Sequence, residues 1–158
     1  MNSLNSIGLD SAKSDELAGM LSDLLHNYSV FYQNVRGYHW NIKGDKFFEL
    51  HVKFEELYDD LVLKIDEIAE RILTLGHAPS HKYSDYLATS EITESTEVTD
   101  GYKGVSEILD AFKVLITKQR RILDASGDVG DEGTNALMSD YIREQEKLVW
   151  MYSAFLNN

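Results

Sequence analysis

The sequence predicts an all-α protein, a single bundle of four long helices with a short extra helix in one long connection. Apolar residues recur at steps of three and four along four extended stretches, which is the helical period. The only proline is Pro79, so long helices can run without interruption. With 158 residues, the chain suits one domain with a substantial core. We expect that domain to cover residues 1–158, with a short flexible segment at about residues 1–13.

The first two helices are predicted at residues 14–38 and 46–75. A turn with Gly44 and the capping residue Asp45 separates them. Gly76 and Pro79 follow the second helix and are typical of a helix end. In the first helix the apolar stripe consists of Leu17, Leu21, Leu24, Tyr28, Phe31, Val35 and Tyr38.

A long connection is predicted at residues 77–100, and residues 83–88 can form a short helix within it. Because it is long for a compact domain, we expect it to cross from one end of the bundle to the other. The third helix is predicted at residues 101–125, a glycine-rich acidic loop at residues 126–133, and the fourth helix at residues 134–155. Four helices with one long crossover are typical of a ferritin-like bundle rather than a simple up-and-down one.

Composition limits the function classes. The formal net charge of −12 argues against a phosphate-binding surface, because nucleic-acid affinity depends on Lys and Arg, and it favours cations instead. Without cysteine, a metal site would need His, Asp and Glu ligands. The N-terminus lacks the layout of a secretory signal, and no apolar run reaches the ~18 residues of a membrane span. We therefore expect a soluble, cytoplasmic protein that does not contact membranes.

The second helix has three faces at about 100° per residue. One is an apolar core stripe that includes Phe54, Leu61 and Ile68, and another is a charged, solvated face. The third face is mixed, and a second apolar stripe of this kind indicates contact with another subunit. Its apolar members are Phe48, Val52, Val62, Ala69 and Leu73, and its ionisable members are His51, Glu55, Asp59, Asp66 and Glu70.

Two ionisable pairs on this mixed face have i, i+4 spacing, His51 with Glu55 and Asp66 with Glu70. They lie about 22 Å apart along the helix, too far to share one metal ion. The cross-pairs His51–Glu70 and Glu55–Asp66 have the same midpoint. Two copies of the helix packed antiparallel about a two-fold axis near residues 60 and 61 would therefore form two equivalent sites. His39, beside the turn, is the natural additional ligand.

The alternative is that these pairs are incidental. Polar i, i+4 pairs are common on acidic helices, and His51 could be an ordinary hydrogen-bonded interface histidine. The protein would then be a purely structural helical dimer.

Residues 38–71, YHWNIKGDKFFELHVKFEELYDDLVLKIDEIAER, closely resemble the signature of the Dps family, or miniferritins. The resemblance extends over nearly the whole chain, including the GDEGT loop and the WMYSAF ending. It implies a homo-dodecameric hollow shell built from two-fold dimers. It also implies iron storage and detoxification, with ferroxidase oxidation of Fe(II) to Fe(III) by hydrogen peroxide in preference to dioxygen, which suppresses hydroxyl-radical chemistry.

The resemblance also implies a metal-ligand set. His39, His51 and Glu55 match ligands from one subunit, and Asp66 and Glu70 match those from its partner. Glu55 stands where the family often has Asp. None of the five histidines follows a Glu by three residues, so the Glu-x-x-His signature of intrasubunit di-iron ferritins is missing.

Further roles follow from the same resemblance, each beside an ordinary alternative. Trp40 matches a position that donates electrons to stray oxidising equivalents, or it packs at the interface. Asp128, Asp131 and Glu132 lie in the loop that approaches a three-fold pore, or they form a solvated loop and helix N-cap. Asp59 is a further ligand candidate, or, in the preferred alternative, an ordinary polar residue of the interface. Some family members compact DNA with basic tails, but here the first 16 residues contain only one basic residue, so DNA binding is not expected.

Overall fold

The computed structural model describes residues 3–158, which form five helices. Four long helices make the bundle, and a short helix lies in the connection between the second and third of them. Across residues 3–158 there is no strand, only two isolated bridge pairs, so the all-α prediction is confirmed. The helices are α1 Ser11–Asn41, α2 Phe47–Thr74, α3 Tyr83–Thr89, α4 Gly101–Asp128 and α5 Glu132–Phe155.

The core lies between the four long helices. α1 packs against α2 and α4, α4 packs against α5, and α3 lies on α1. The predicted stripe of α1 is buried in full, from Leu17 to Tyr38. Phe31 and Phe112 meet edge to face at 5.4 Å between ring centroids, which joins α1 to α4.

The connection of residues 77–100 runs the length of the bundle along α1. His77 lies beside Asp15 near the start of α1, with Nε2 2.7 Å from Oδ1. At the other end, the amide of Lys43 donates to the Thr99 carbonyl at 2.8 Å. Between them, the side chains of Asn27 and Asn34 accept from the backbone amides of Glu91, Ile92 and Ser95. The expected end-to-end crossover is confirmed.

The ends of α1, α4 and α5 differ from prediction, since α1 ends at Asn41 rather than residue 38 and α5 begins at Glu132 rather than residue 134. α1 begins at Ser11 rather than residue 14, because the Asp10 side chain accepts from the Lys13 amide at 3.0 Å and caps the helix. α4 continues to Asp128 rather than residue 125. Gly127 does not interrupt it, because the neighbouring helices support α4. The loop after it is correspondingly short, with Gly130 at φ +74° in the left-handed region.

The bundle centre contains a closed ring of neutral polar side chains. The Tyr28 hydroxyl donates to Gln119, the Gln119 amide donates to Gln145 at 2.8 Å, and the Gln145 amide donates to Tyr28 at 2.6 Å. All three side chains are buried. Burial raises the pKa of Tyr28 far above its usual range, so its hydroxyl stays protonated. Every polar atom of the ring is therefore satisfied within the chain.

Candidate metal centre

His39 and His51 face each other across the turn between α1 and α2. Their rings stack at 3.8 Å between centroids, with 11° between the planes. His39 Nδ1 lies 2.5 Å from the His51 carbonyl oxygen, and His51 Nδ1 lies 2.7 Å from the His39 carbonyl oxygen. Because a carbonyl can only accept, each Nδ1 carries the proton. The Nε2 lone pair of each neutral ring remains free, as a metal ligand requires.

The sequence predicted the two histidines but not this reciprocal bonding. Spacing cannot reveal which ring nitrogen meets a backbone carbonyl twelve residues away. Tyr58 also approaches the site, with its ring edge-on to His39 at 5.3 Å between centroids. Tyr58 falls on the core stripe of α2, so periodicity gave no sign that it also borders the histidine pair.

Glu55 extends the histidine pair by one oxygen donor. Its Oε1 lies 3.5 Å from His39 Nε2, and its side chain is exposed. Asp59 is one turn further along the same face and is also exposed. The structure thus brings His39, His51 and Glu55 together in one chain, as predicted, and leaves Asp59 at their edge.

Asp66 and Glu70 form a second acidic group on the same face of α2, and both are exposed. The charge of Asp66, together with a hydrogen bond between the two carboxyl groups, raises the pKa of Glu70. The two carboxylates therefore repel each other in the isolated chain, and a bound cation would relieve the repulsion.

One chain does not bring the two groups together. The His51–Glu55 pair and the Asp66–Glu70 pair are separated by about 22 Å along α2, at 1.5 Å per residue. Among residues 3–158, no three His, Asp or Glu side chains are arranged to hold a metal ion on their own.

The apolar part of the same face is exposed in the single chain. The exposed fractions are 82% for Phe48, 56% for Val52, 41% for Val62 and 56% for Leu73. These side chains alternate with the ionisable ones along α2, as the helical period predicts. Large apolar side chains that line one helix face in this way are typical of a protein–protein contact.

Trp40 follows His39 in α1 and is 56% exposed. The Arg36 guanidinium stacks over its indole at 4.9 Å from the ring centroid. Trp40, Val62 and Tyr83 help to line a groove of about 750 Å³ between α1, α2 and α3. The position is compatible with either of its two predicted roles.

The three acids of the α4–α5 turn have different environments. Asp128 and Glu132 are exposed. Asp131 is buried and forms the N-cap of α5, accepting from the amide and hydroxyl of Thr134 at 3.0 and 2.6 Å. It also pairs with Arg71 at 2.7 Å. Asp131 therefore has the capping role given as its alternative, and a pore role for the three acids stays a prediction.

Comparison with known proteins agrees with this architecture. The sequence model of the ferritin family, described as a ferritin-like domain, matches residues 18–158. The DNA protection during starvation protein of Porphyromonas gingivalis is 42% identical over 88% of this chain and 85% of its own length. The chain belongs to the Dps family of ferritin-like proteins.

Solved Dps structures have the same fold. The Dps protein of Vibrio cholerae O1 superposes with a TM-score of 0.96 at 59% identity, covering 97% of this chain and 96% of that one. That protein is described as a member of a broad superfamily of ferritin-like diiron-carboxylate proteins. The Dps protein of Bacillus brevis gives a TM-score of 0.88 at 32% identity, covering 92% and 97%.

Across residues 3–158, none of the helices is both long enough and apolar enough to cross a membrane.

Proposed function

We propose that this Dps protein oxidises Fe(II) to Fe(III) at a site completed by two chains, and that it stores the ferric product within a hollow dodecameric shell. The main support for the proposal is the histidine pair, His39 and His51. His39 and His51 hold each other, with the Nε2 of His39 beside Glu55, yet within residues 3–158 they are not part of a complete metal-binding group. A ligand group held this firmly but left incomplete needs a second chain.

The exposed residues of α2 support one particular pairing. If two copies of α2 cross antiparallel near residues 60 and 61, His51 faces Glu70 of the mate and Glu55 faces Asp66. The same register brings Phe48 opposite Leu73, and these are two of the most exposed apolar side chains of the helix. Val52 likewise falls opposite Ala69, whereas Val62 falls opposite Asp59 close to the axis. The outer positions of the face therefore match polar with polar and apolar with apolar, as expected of a two-fold dimer.

The completed ligand set suits iron. Two imidazoles and three carboxylates, with Asp59 as a further candidate, combine hard oxygen donors with nitrogen donors and leave room for an oxidant. Carboxylates stabilise Fe(III) more than Fe(II), so the ligands themselves favour oxidation. Two ferrous ions each give one electron to hydrogen peroxide, its O–O bond breaks, and two protons complete two water molecules. Dioxygen is the slower alternative oxidant.

Other residues have supporting roles in this proposal. Trp40, next to His39 in the sequence and 56% exposed, can donate an electron to stray oxidising equivalents. Asp128 and Glu132 are exposed at the α4–α5 turn and can draw Fe(II) towards the shell if that turn lines a pore. DNA binding is not proposed, since the net charge of −12 opposes contact with phosphates.

The proposal predicts that His51→Ala and Asp66→Ala each lower the initial rate of peroxide-dependent Fe(II) oxidation by at least about tenfold, because each removes one ligand. The absorbance of ferric product measures the rate, and light scattering checks that the shell still forms. His77→Ala is the matched control, since His77 pairs with Asp15 near the start of α1 and is not one of the proposed ligands. Full activity in either site variant would contradict the proposal.

A further inference from the structure

His26 on α1 is a buried titratable group with no part in the proposed iron chemistry. Its imidazole is 8% exposed. Nδ1 lies 2.6 Å from the hydroxyl oxygen of Thr89, the last residue of α3. The ring also contacts that of Tyr86 at 5.1 Å between centroids. His26 therefore fastens α3 to α1.

The hydrogen bonds around His26 define its protonation. Thr89 donates its hydroxyl proton to the Asp85 carbonyl at 3.1 Å, so its oxygen accepts from His26 Nδ1–H. Nε2 of the neutral ring is then a lone pair, and it is buried without a hydrogen-bond partner. A proton added there would create a buried N–H⁺ with no acceptor, which is costly.

We propose that His26 is an acid-sensitive latch, and that its protonation releases α3 from α1. α3 has seven residues and none of them is buried, so it cannot persist as a helix without its contacts to α1. The neighbouring anchor Asn27 holds the chain just after α3 through the amides of Glu91 and Ile92. Release therefore frees α3 while the rest of the crossover stays attached.

The groups around His26 determine whether acid strengthens or weakens the docking of α3 on α1. Burial lowers the pKa of His26, and the nearby carboxylates Asp23 and Asp85 offset this only in part. A group with a lowered pKa binds its proton more readily when released. Docking of α3 is thus fully stable above pH 6.5, the ordinary pKa of histidine, and weakens as pH falls below it.

Other titratable neighbours of the latch have contacts of their own. Lys118 on α4 pairs with Asp23 at 2.7 Å and with Glu91 of the crossover at 2.8 Å. The Lys118 ammonium lowers the pKa of Glu91, so acid protonates this carboxylate less readily than a free one. Tyr86 has a raised pKa and stays neutral at any acidic pH.

Release of α3 would alter the surface proposed for subunit pairing. Tyr83 and Leu87 of α3 are 82% and 51% exposed and line the same groove as Trp40 and Val62. Acidification would remove one wall of that groove and weaken the two-fold contact. This consequence rests on the proposed function, whereas the latch itself lies within one chain.

Backbone amide hydrogen exchange of residues 83–89, corrected for the intrinsic effect of pH, tests the latch in the full-length assembled protein. Wild-type protection is expected to fall severalfold between pH 7.5 and 5.0. His26→Phe keeps a buried ring that cannot be protonated, and His26→Gln keeps a donor for Thr89. Whichever of these two variants protects the amides of α3 at pH 7.5 should protect them equally at pH 5.0. His77→Gln, a histidine substitution away from α3, should behave as wild type.

Two results would overturn the latch: wild-type protection that does not change with pH, or a His26 variant that loses protection as wild type does. Light scattering at both pH values then reads the effect on assembly. If the chain does not pair even at pH 7.5, the proposed function fails, while hydrogen exchange still decides the latch independently.

Discussion

The bundle centre and the mixed face of α2 are both rich in polar side chains, but they differ in how those side chains are satisfied. In the centre, Tyr28, Gln119 and Gln145 bond one another in a closed ring, and each of their side-chain oxygen and nitrogen atoms has a partner in it. On α2, His51 keeps a free Nε2 and Glu70 carries a raised pKa beside a second carboxylate. A closed network stabilises one chain, whereas an open one is prepared for a ligand or partner.

This contrast also bears on where a metal can bind. Ferritin-like proteins with an intrasubunit di-iron site bring carboxylates and a Glu-x-x-His histidine to the bundle centre. Here neutral amides and a hydroxyl fill that region, and Lys64 places an ammonium nearby, 2.9 Å from both Asp60 and Glu144. The candidate ligands lie on the mixed face of α2 and at the end of α1 instead, and of these His39 is buried.

The largest expected effect on stability comes from opening the central ring. Gln145→Leu removes the donor to Tyr28 and the acceptor for Gln119, leaving buried polar atoms without partners. We expect a loss of about 1–3 kcal/mol in the free energy of unfolding, measured by urea denaturation. The oxidation rate per folded shell should not change. Glu146→Gln, an adjacent exposed position, is the control. A large loss of activity without loss of stability would contradict the distinction between the two regions.

A smaller effect on stability is expected at the α4–α5 turn, where the buried and paired Asp131 lies near the exposed Asp128. Asp131→Ala removes the cap of α5 and the partner of Arg71, so it should lower the free energy of unfolding by about 1–2 kcal/mol. Asp128→Ala, at an exposed position, should change stability by less than about 0.5 kcal/mol. Equal losses of stability in the two variants would show that Asp131 does not have the structural role assigned to it.

Much of this architecture could be predicted from helical periodicity, because the apolar stripe of α1 and the three faces of α2 are direct consequences of a 3.6-residue period. The helix ends were less predictable. The cap at Asp10 depends on a side-chain rotamer, and the extension of α4 to Asp128 depends on tertiary support.

The candidate site could be predicted only in part. His51 was identified from its spacing to Glu55 and His39 from the short turn between the two helices, but their mutual ring-to-carbonyl bonds require coordinates. His26 had no partner pattern in the sequence, since Thr89 lies 63 residues away. Contacts between residues so far apart in the sequence produce no periodic pattern in it.

The central claim is that each iron site takes ligands from two chains, and a mixed assembly of His51→Ala and Asp66→Ala subunits tests it most directly. Each mixed pair would contain one site with both changes and one intact site. Random association of equal amounts should therefore restore about a quarter of the wild-type rate of Fe(II) oxidation, well above either variant alone. If the mixture is no more active than the separate variants, although mass spectrometry shows that both are in the same shell, the sites are not shared.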